Sequence, residues 1–168
     1  MTDASKIKVA LARLQLELEN IQKLYDTLKD KGMLKSDKHR KEKLADDFTL
    51  RAIGSIFHDF YTAVENMFKI VAKNVDGSVP SGSEWHLELL EQMSVAIQGE
   101  RPAFISVNTK LLLNEFRGFR HIFRNIYGFN LMPERIERLL EIFPETVDEL
   151  KKDVEKFIAE MESIIKEE

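Results

Sequence analysis

Leu50-Arg51-Ala52-Ile53-Gly54-Ser55-Ile56-Phe57-His58-Asp59-Phe60-Tyr61-Thr62-Ala63-Val64-Glu65-Asn66-Met67-Phe68-Lys69-Ile70-Val71 is the stretch that decides the fold class. Leu50, Ile53, Phe57, Phe60, Val64, Met67 and Val71 recur at alternating steps of three and four, which puts them on one face of a helix. Ile56, Ala63 and Ile70 widen that face, so this helix is expected to be central, running from about Leu44 to Val75. Upstream, Ile7, Leu11, Leu14, Leu18, Ile21, Tyr25 and Leu28 make a heptad seam, with Asp3 or Ser5 to cap its start and Gly32 to stop it. Between the two helices, Lys35 to Lys43 is basic and free of apolar residues. It reads either as a solvated loop or helix start, or as a patch that attracts phosphate.

Downstream, Asp76-Gly77-Ser78-Val79-Pro80-Ser81-Gly82 is a loop by composition. Ser83 is a candidate N-cap for a third helix from Glu84 to Ile97, which Gln98-Gly99-Glu100-Arg101-Pro102 would end. A fourth helix is expected from Ser106–Asn108 to Tyr127, stopped by Gly128. Pro133 opens a short fifth helix that Phe143-Pro144 should break. The last carries Val147, Leu150, Val154, Phe157, Met161 and Ile164 at heptad spacing. No segment alternates with the period of a strand. The expectation is an all-α antiparallel bundle of about five or six helices, one domain over residues 1–168, with 1–43 as N-terminal helix and basic linker and 44–168 as the core. The heptad seams of the first and last helices suit either the bundle core or a dimer interface.

Composition narrows the function. There are no cysteines, which removes disulfides and thiolate metal sites and fits a reducing compartment. The net charge is −4, so any contact with nucleic acid has to be local. No apolar run approaches a membrane span, and Met1-Thr2-Asp3-Ala4-Ser5 lacks the layout of a signal peptide; a cytoplasmic protein is expected. His39, His58, His86 and His121 are scattered and follow no metal-binding spacing, and there is no phosphate-cradling glycine loop. Neither a metal nor a cofactor is expected. His58 and Asp59 read as a polar pair near the core or as support for a site, and Trp85 as a packing anchor.

The chemistry-bearing segment is Phe116-Arg117-Gly118-Phe119-Arg120-His121-Ile122-Phe123-Arg124-Asn125-Ile126-Tyr127. On a helical wheel of roughly 100° per residue, Arg117, Arg124 and Tyr127 fall close to Arg120, with His121 and Asn125 to one side. Leu112, Phe119, Phe123 and Ile126 lie on the other, so the guanidinium groups border the apolar face. Partly desolvated arginines beside a histidine make a pocket for phosphate. A bland alternative stands beside it: the same arginines lay their stems on the core and pair with carboxylates of a neighbouring helix, for which the acidic last helix is a source.

Arg120-His121-Ile122-Phe123-Arg124-Asn125-Ile126-Tyr127 resembles the R-x4-H-x-Y signature of HEPN-domain ribonucleases, in particular the HepT-like toxins. His58-Asp59-Phe60-Tyr61, the Gly77 to Gly82 loop, Trp85-His86 with Leu89-Leu90, and Phe119-Arg120-His121 are similar to the same branch, over roughly Leu44 to Leu140. The resemblance implies a small HEPN-like helical bundle of a prokaryote that forms a homodimer, brings two motifs into one cleft and cleaves RNA without metal. It implies catalytic roles for Arg120, His121, Asn125 and Tyr127, RNA-binding roles for Arg117 and Arg124, and a nucleotidyltransferase-like antitoxin as partner, with Tyr127 at the position such an antitoxin modifies.

Asn125 departs from the family pattern, because it stands where the motif has its histidine. RNA cleavage without metal takes a proton from a 2′-hydroxyl and gives one to the leaving oxygen, and an amide does neither. Two readings follow. Either His121 supplies the acid/base chemistry of a toxin ribonuclease with an impaired site, or the chain is an inactive dimer that binds RNA, nucleotide or a protein partner.

Overall fold

A computed structural model describes residues 3–125, 127 and 130–167. Among them are six α-helices and no strand: α1 (Asp3–Asp30), α2 (Lys38–Leu44), α3 (Asp47–Val71), α4 (Trp85–Met93), α5 (Val107–Phe123) and α6 (Pro133–Glu167). The all-α bundle expected from periodicity is the fold. α3, extended by a π-helical turn over Ala72–Asp76, packs against all five other helices. Its seam is buried as read, and four phenylalanines from three helices meet there edge to face. Phe57 and Phe116 lie 5.3 Å apart and Phe60 and Phe143 5.0 Å apart between ring centroids, a geometry that adds to simple area burial.

The heptad seams face this core. Leu11, Leu14, Ile21 and Leu28 of α1 and Val147, Leu150, Val154, Phe157 and Met161 of α6 are all buried within the chain. Gly32 ends α1 as expected: at φ 70 it lets its own N–H reach the Lys29 carbonyl and the Met33 N–H reach that of Leu28. Ser5 lies inside α1. The proposed stop at Gly128 falls outside the described residues.

Several boundaries differ from the expectation, each for a physical reason. The basic run does start a helix, as one reading of it expected, and is not a solvated loop throughout. Asp37 caps a short helix by accepting the Arg40 N–H, and Arg40 is itself buried, with Nη2 3.5 Å from both Glu137 and Glu141 of α6. α3 starts at Asp47 because the Asp46 side chain accepts from the Thr49 N–H. α4 starts at Trp85 with Glu84, not Ser83, in the capping position, and it ends at Met93 instead of Ile97. α6 runs through Pro144 without a break. A proline inside a helix costs about 3 kcal/mol, which burial of Leu140, Phe143, Val147 and Leu150 on either side offsets. The Thr146 hydroxyl also bonds the Ile142 carbonyl at 2.7 Å, supplying a donor next to the missing one. None of the six helices is long and apolar enough to cross a membrane among the described residues.

The segment after α4 is held by a charge in the stretch that was expected only to end the third helix. Arg101 is buried, and its Nε and Nη2 clasp Asp76 at 2.5 and 2.8 Å. Nη1 donates to the carbonyls of Val95 and Pro102, both at 2.9 Å, and Gln92 donates to the same aspartate at 2.6 Å. A buried pair so fully bonded is costly to halve, because removing one partner strands the other charge in a dry site. Asp76→Ala is therefore expected to lower the unfolding free energy by about 3–5 kcal/mol, read as a shift of the denaturation midpoint. An unchanged midpoint would refute the account of this clasp.

Candidate functional site

α5 carries the site, and both its ends are fixed. At its start the Ser106 hydroxyl accepts the Thr109 N–H, while Asp153 of α6 accepts from the Ser106 N–H at 2.8 Å and the Thr109 hydroxyl at 2.6 Å. At its end the Phe123 ring lies on Gly54 of α3, where a Cβ would come within 2.8 Å of the ring. Phe123 also stacks on Phe119 and touches His58. Leu113, Phe116 and Phe119 face the core, which leaves Arg117 and Arg120 half-buried at the edge of that face and His121 and Arg124 exposed. His58 and Asp59 form a pair at 3.6 Å, with Asp59 open to solvent.

α5 stops at Phe123, four residues before the expected end at Tyr127. The stop has a visible cause: the Asn125 side chain turns back to donate to the His121 carbonyl at 2.8 Å, satisfying a carbonyl the helix would otherwise leave open. Asn125 and Tyr127 therefore do not continue the helical arc of the arginines, and Ile126, read with the apolar face, lies outside the described residues. Tyr127 is 74% exposed.

Arg117, Arg120 and His121 of α5 and Arg124 just past its end do come together. With Tyr61 of α3 and His86 of α4 they line one small polar cleft of about 40 Å³. Glu65, which is buried, bonds two of these lining residues. One of its carboxylate oxygens takes Arg120 Nη1 and the other takes His86 Nδ1, both in short contacts. The guanidinium of Arg120, expected to face a phosphate across a shared groove, is thus paired inside its own fold. This is the pairing the bland alternative anticipated, although the carboxylate comes from α3 and not from the last helix. One carboxylate does not neutralise the cleft. Arg117 and Arg124 pair with no carboxylate among the described residues, so three guanidinium groups meet a single fixed negative charge.

Two buried polar atoms at this place have no partner among the described residues, Arg120 Nε and the Tyr61 hydroxyl. A buried donor without a partner costs free energy, which a ligand with acceptor oxygens recovers. Burial pushes the Tyr61 phenol well above its ordinary value, and the Glu65 charge adds to that, with Arg117 and Arg120 opposing. Tyr61 accordingly stays a neutral donor. The Trp85 ring stacks on the His86 imidazole at 3.5 Å, and Lys69 Nζ lies 4.4 Å from the centre of that indole. Among the described residues no group of three histidines, aspartates or glutamates is placed to hold a metal.

Glu65, His86 and Tyr61 are members of the site that motif reasoning did not assign. Glu65 was visible as a charge on the apolar side of the central helix, beside Val64 and Met67. A carboxylate in such a setting implies a buried cation opposite it.

A family model described as HepT-like protein matches residues 52–161, a span that contains every residue lining the cleft. No curated protein and no solved structure matches the chain.

Because the Tyr61 hydroxyl is buried without a partner, Tyr61→Phe is expected to raise the unfolding free energy at neutral pH by about 1 kcal/mol. In the parent the unfolded chain ionises near 10.0 while the folded phenol resists, so Tyr61 contributes a loss of stability above that pH. Denaturation curves of the variant should lack that alkaline contribution. A loss of stability at neutral pH would mean that the hydroxyl is bonded after all.

Proposed function

The chain belongs to the HepT-like protein family, and from that premise we propose that it is a metal-independent endoribonuclease, the toxin of a toxin–antitoxin pair, working with a non-standard site. HepT-like proteins in general are ribonuclease-type toxins paired with nucleotidyltransferase antitoxins. The observation that carries the reading is the gathering of Arg117, Arg120, Arg124 and His121 in one cleft with surplus positive charge. Arg120 binds the scissile phosphate and stabilises the charge that builds on it, and Arg117 and Arg124 hold the flanking phosphates. In the reaction the ribose O2′ attacks phosphorus, its proton leaves, and the P–O5′ bond breaks as O5′ is protonated. His121, exposed at the mouth of the cleft, supplies acid/base chemistry that Asn125 cannot. Tyr127 positions the substrate, and Asn125 acts on it indirectly by holding the chain at the end of α5.

For RNA to enter, its phosphate shares Arg120 with Glu65. Arg120 has more N–H groups than Glu65 uses, and these are the donors for that purpose. A homodimer joining two such clefts in the cytoplasm is part of the same proposal. So is a nucleotidyltransferase-like antitoxin acting on Tyr127, whose exposure supports access by another protein. A nucleotide added there would set a bulky anion beside the arginines.

A second reading is favoured by Asn125 itself. Its amide closes the end of α5 instead of reaching the cleft, which suits a chain that binds RNA without turnover. The two separate on incubation of the purified protein with RNA under chelator. The enzyme reading predicts cleavage by the parent that Arg120→Ala abolishes. The binding reading predicts none from the parent and a gain in Asn125→His, on the scale of about 10²- to 10⁴-fold that an imidazole contributes. Equal RNA binding by the parent and Arg120→Ala would overturn both.

A further inference from the structure

His86 and Glu65 are not explained by a phosphate clamp alone. A carboxylate that only neutralised Arg120 would use both oxygens on the guanidinium, the bidentate arrangement that pair favours. Here Glu65 divides itself, one oxygen to Arg120 and the other to His86 Nδ1. A carboxylate can only accept, so Nδ1 carries the hydrogen and the lone pair of the neutral ring is on Nε2. The ring is about three-quarters buried, at 28% exposed, and is fixed from its face by Trp85. Nδ1 is taken and His86 lines the cleft, so Nε2 is the ring atom left for a ligand that also meets Arg120. Carboxylate, imidazole and an arginine with a spare donor thus converge from α3, α4 and α5 on one point.

We propose that His86 is the catalytic residue that accepts the 2′-hydroxyl proton of RNA, and that Glu65 is its positioning residue. This rests on the ribonuclease reading and deepens it. Cleavage requires two proton transfers at opposite ends of the phosphate, and the reading above names only His121. With both imidazoles the balance closes. The O2′ proton passes to His86 Nε2 as the O2′–P bond forms. The P–O5′ bond breaks, and O5′ takes a proton from the His121 imidazolium. Water returns each ring to its starting state. The same contact makes His86 the reader of the ribose, since the 2′-hydroxyl is what distinguishes RNA from DNA at a site.

The test uses the full chain under chelator and has two arms. In the first, binding of an RNA oligonucleotide is compared with DNA of the same sequence, in a His121→Gln background that stalls turnover. The expected result is a preference for RNA of about fivefold to tenfold, the scale of one hydrogen bond. His86→Ala should abolish it while leaving DNA affinity within about twofold, and Arg120→Ala should weaken both nucleic acids together. Glu65→Gln should reduce the preference without removing the imidazole. In the second arm, RNA carries sulfur at the bridging 5′ position of one linkage, so that the leaving group needs no proton. Cleavage should recover in His121→Gln and should stay about 10²- to 10⁴-fold down in His86→Gln. Thermal melting of each variant identifies any that is merely unfolded, and His86→Ala and His86→Gln check each other.

An RNA preference that survives His86→Ala, or parent-like cleavage by His86→Gln, overturns the role of His86 even where Arg120→Ala still abolishes activity. Conversely, loss of the preference in His86→Ala supports the ribose contact. A parent that cleaves neither substrate overturns the ribonuclease reading, and with it the proton transfer.

Discussion

The buried carboxylate of Glu65 is the constraint around which the site is organised. It lies on the central helix, where a lone negative charge would be expensive, and it is tolerated because a guanidinium and an imidazole meet it from two other helices. The same contacts fix the position of Arg120 along α5 and of His86 at the start of α4. Three elements are therefore registered to one another by a polar contact placed beside an otherwise apolar seam. The aromatic cluster of Phe57, Phe60, Phe116 and Phe143 supplies burial, but apolar packing tolerates small slips. A charged contact with directional hydrogen bonds does not.

Much of the fold was legible because its signals are local. The three- and four-residue steps of the α3 seam and the turn chemistry of Gly32 say the same thing in sequence and in space. Pro144 was misread for the opposite reason. Its local rule is to break a helix, and only the packing of Phe143 and Leu150 against distant residues overrides it. The short reach of α5 was missed although its cause is local, because nothing in the periodicity tells that the Asn125 amide will fold back onto the His121 carbonyl. Arg40 and Arg101 sit in stretches that compose like solvated loops, yet both are buried, because their partners lie on elements far away in the chain.

The site was half legible. Arg117, Arg120 and His121 share one helix and Arg124 follows at its end, so spacing alone could gather them. Glu65, Tyr61 and His86 come from two other helices, and no motif spacing links them to residue 120. Their signal was of another kind, a carboxylate beside core positions and a histidine next to a tryptophan at a helix start. Such a signal says that a partner exists but not which one. The Glu65–Arg120 pair also joins two readings that began as alternatives. An arginine can be held by its own fold and still present a donor to a ligand, because a guanidinium has more N–H groups than one carboxylate oxygen can use.

Gly54 gives this arrangement an unexpected sensitivity. The Phe123 ring occupies the notch left by a missing side chain on α3, and Arg124 follows directly in the chain. The place where the polypeptide leaves α5 and enters the rest of the motif is therefore set by a single hydrogen atom on another helix. A change of one methyl group at that notch, on a residue that does not line the cleft, would act as a steric lever on the direction in which the motif's last residues depart.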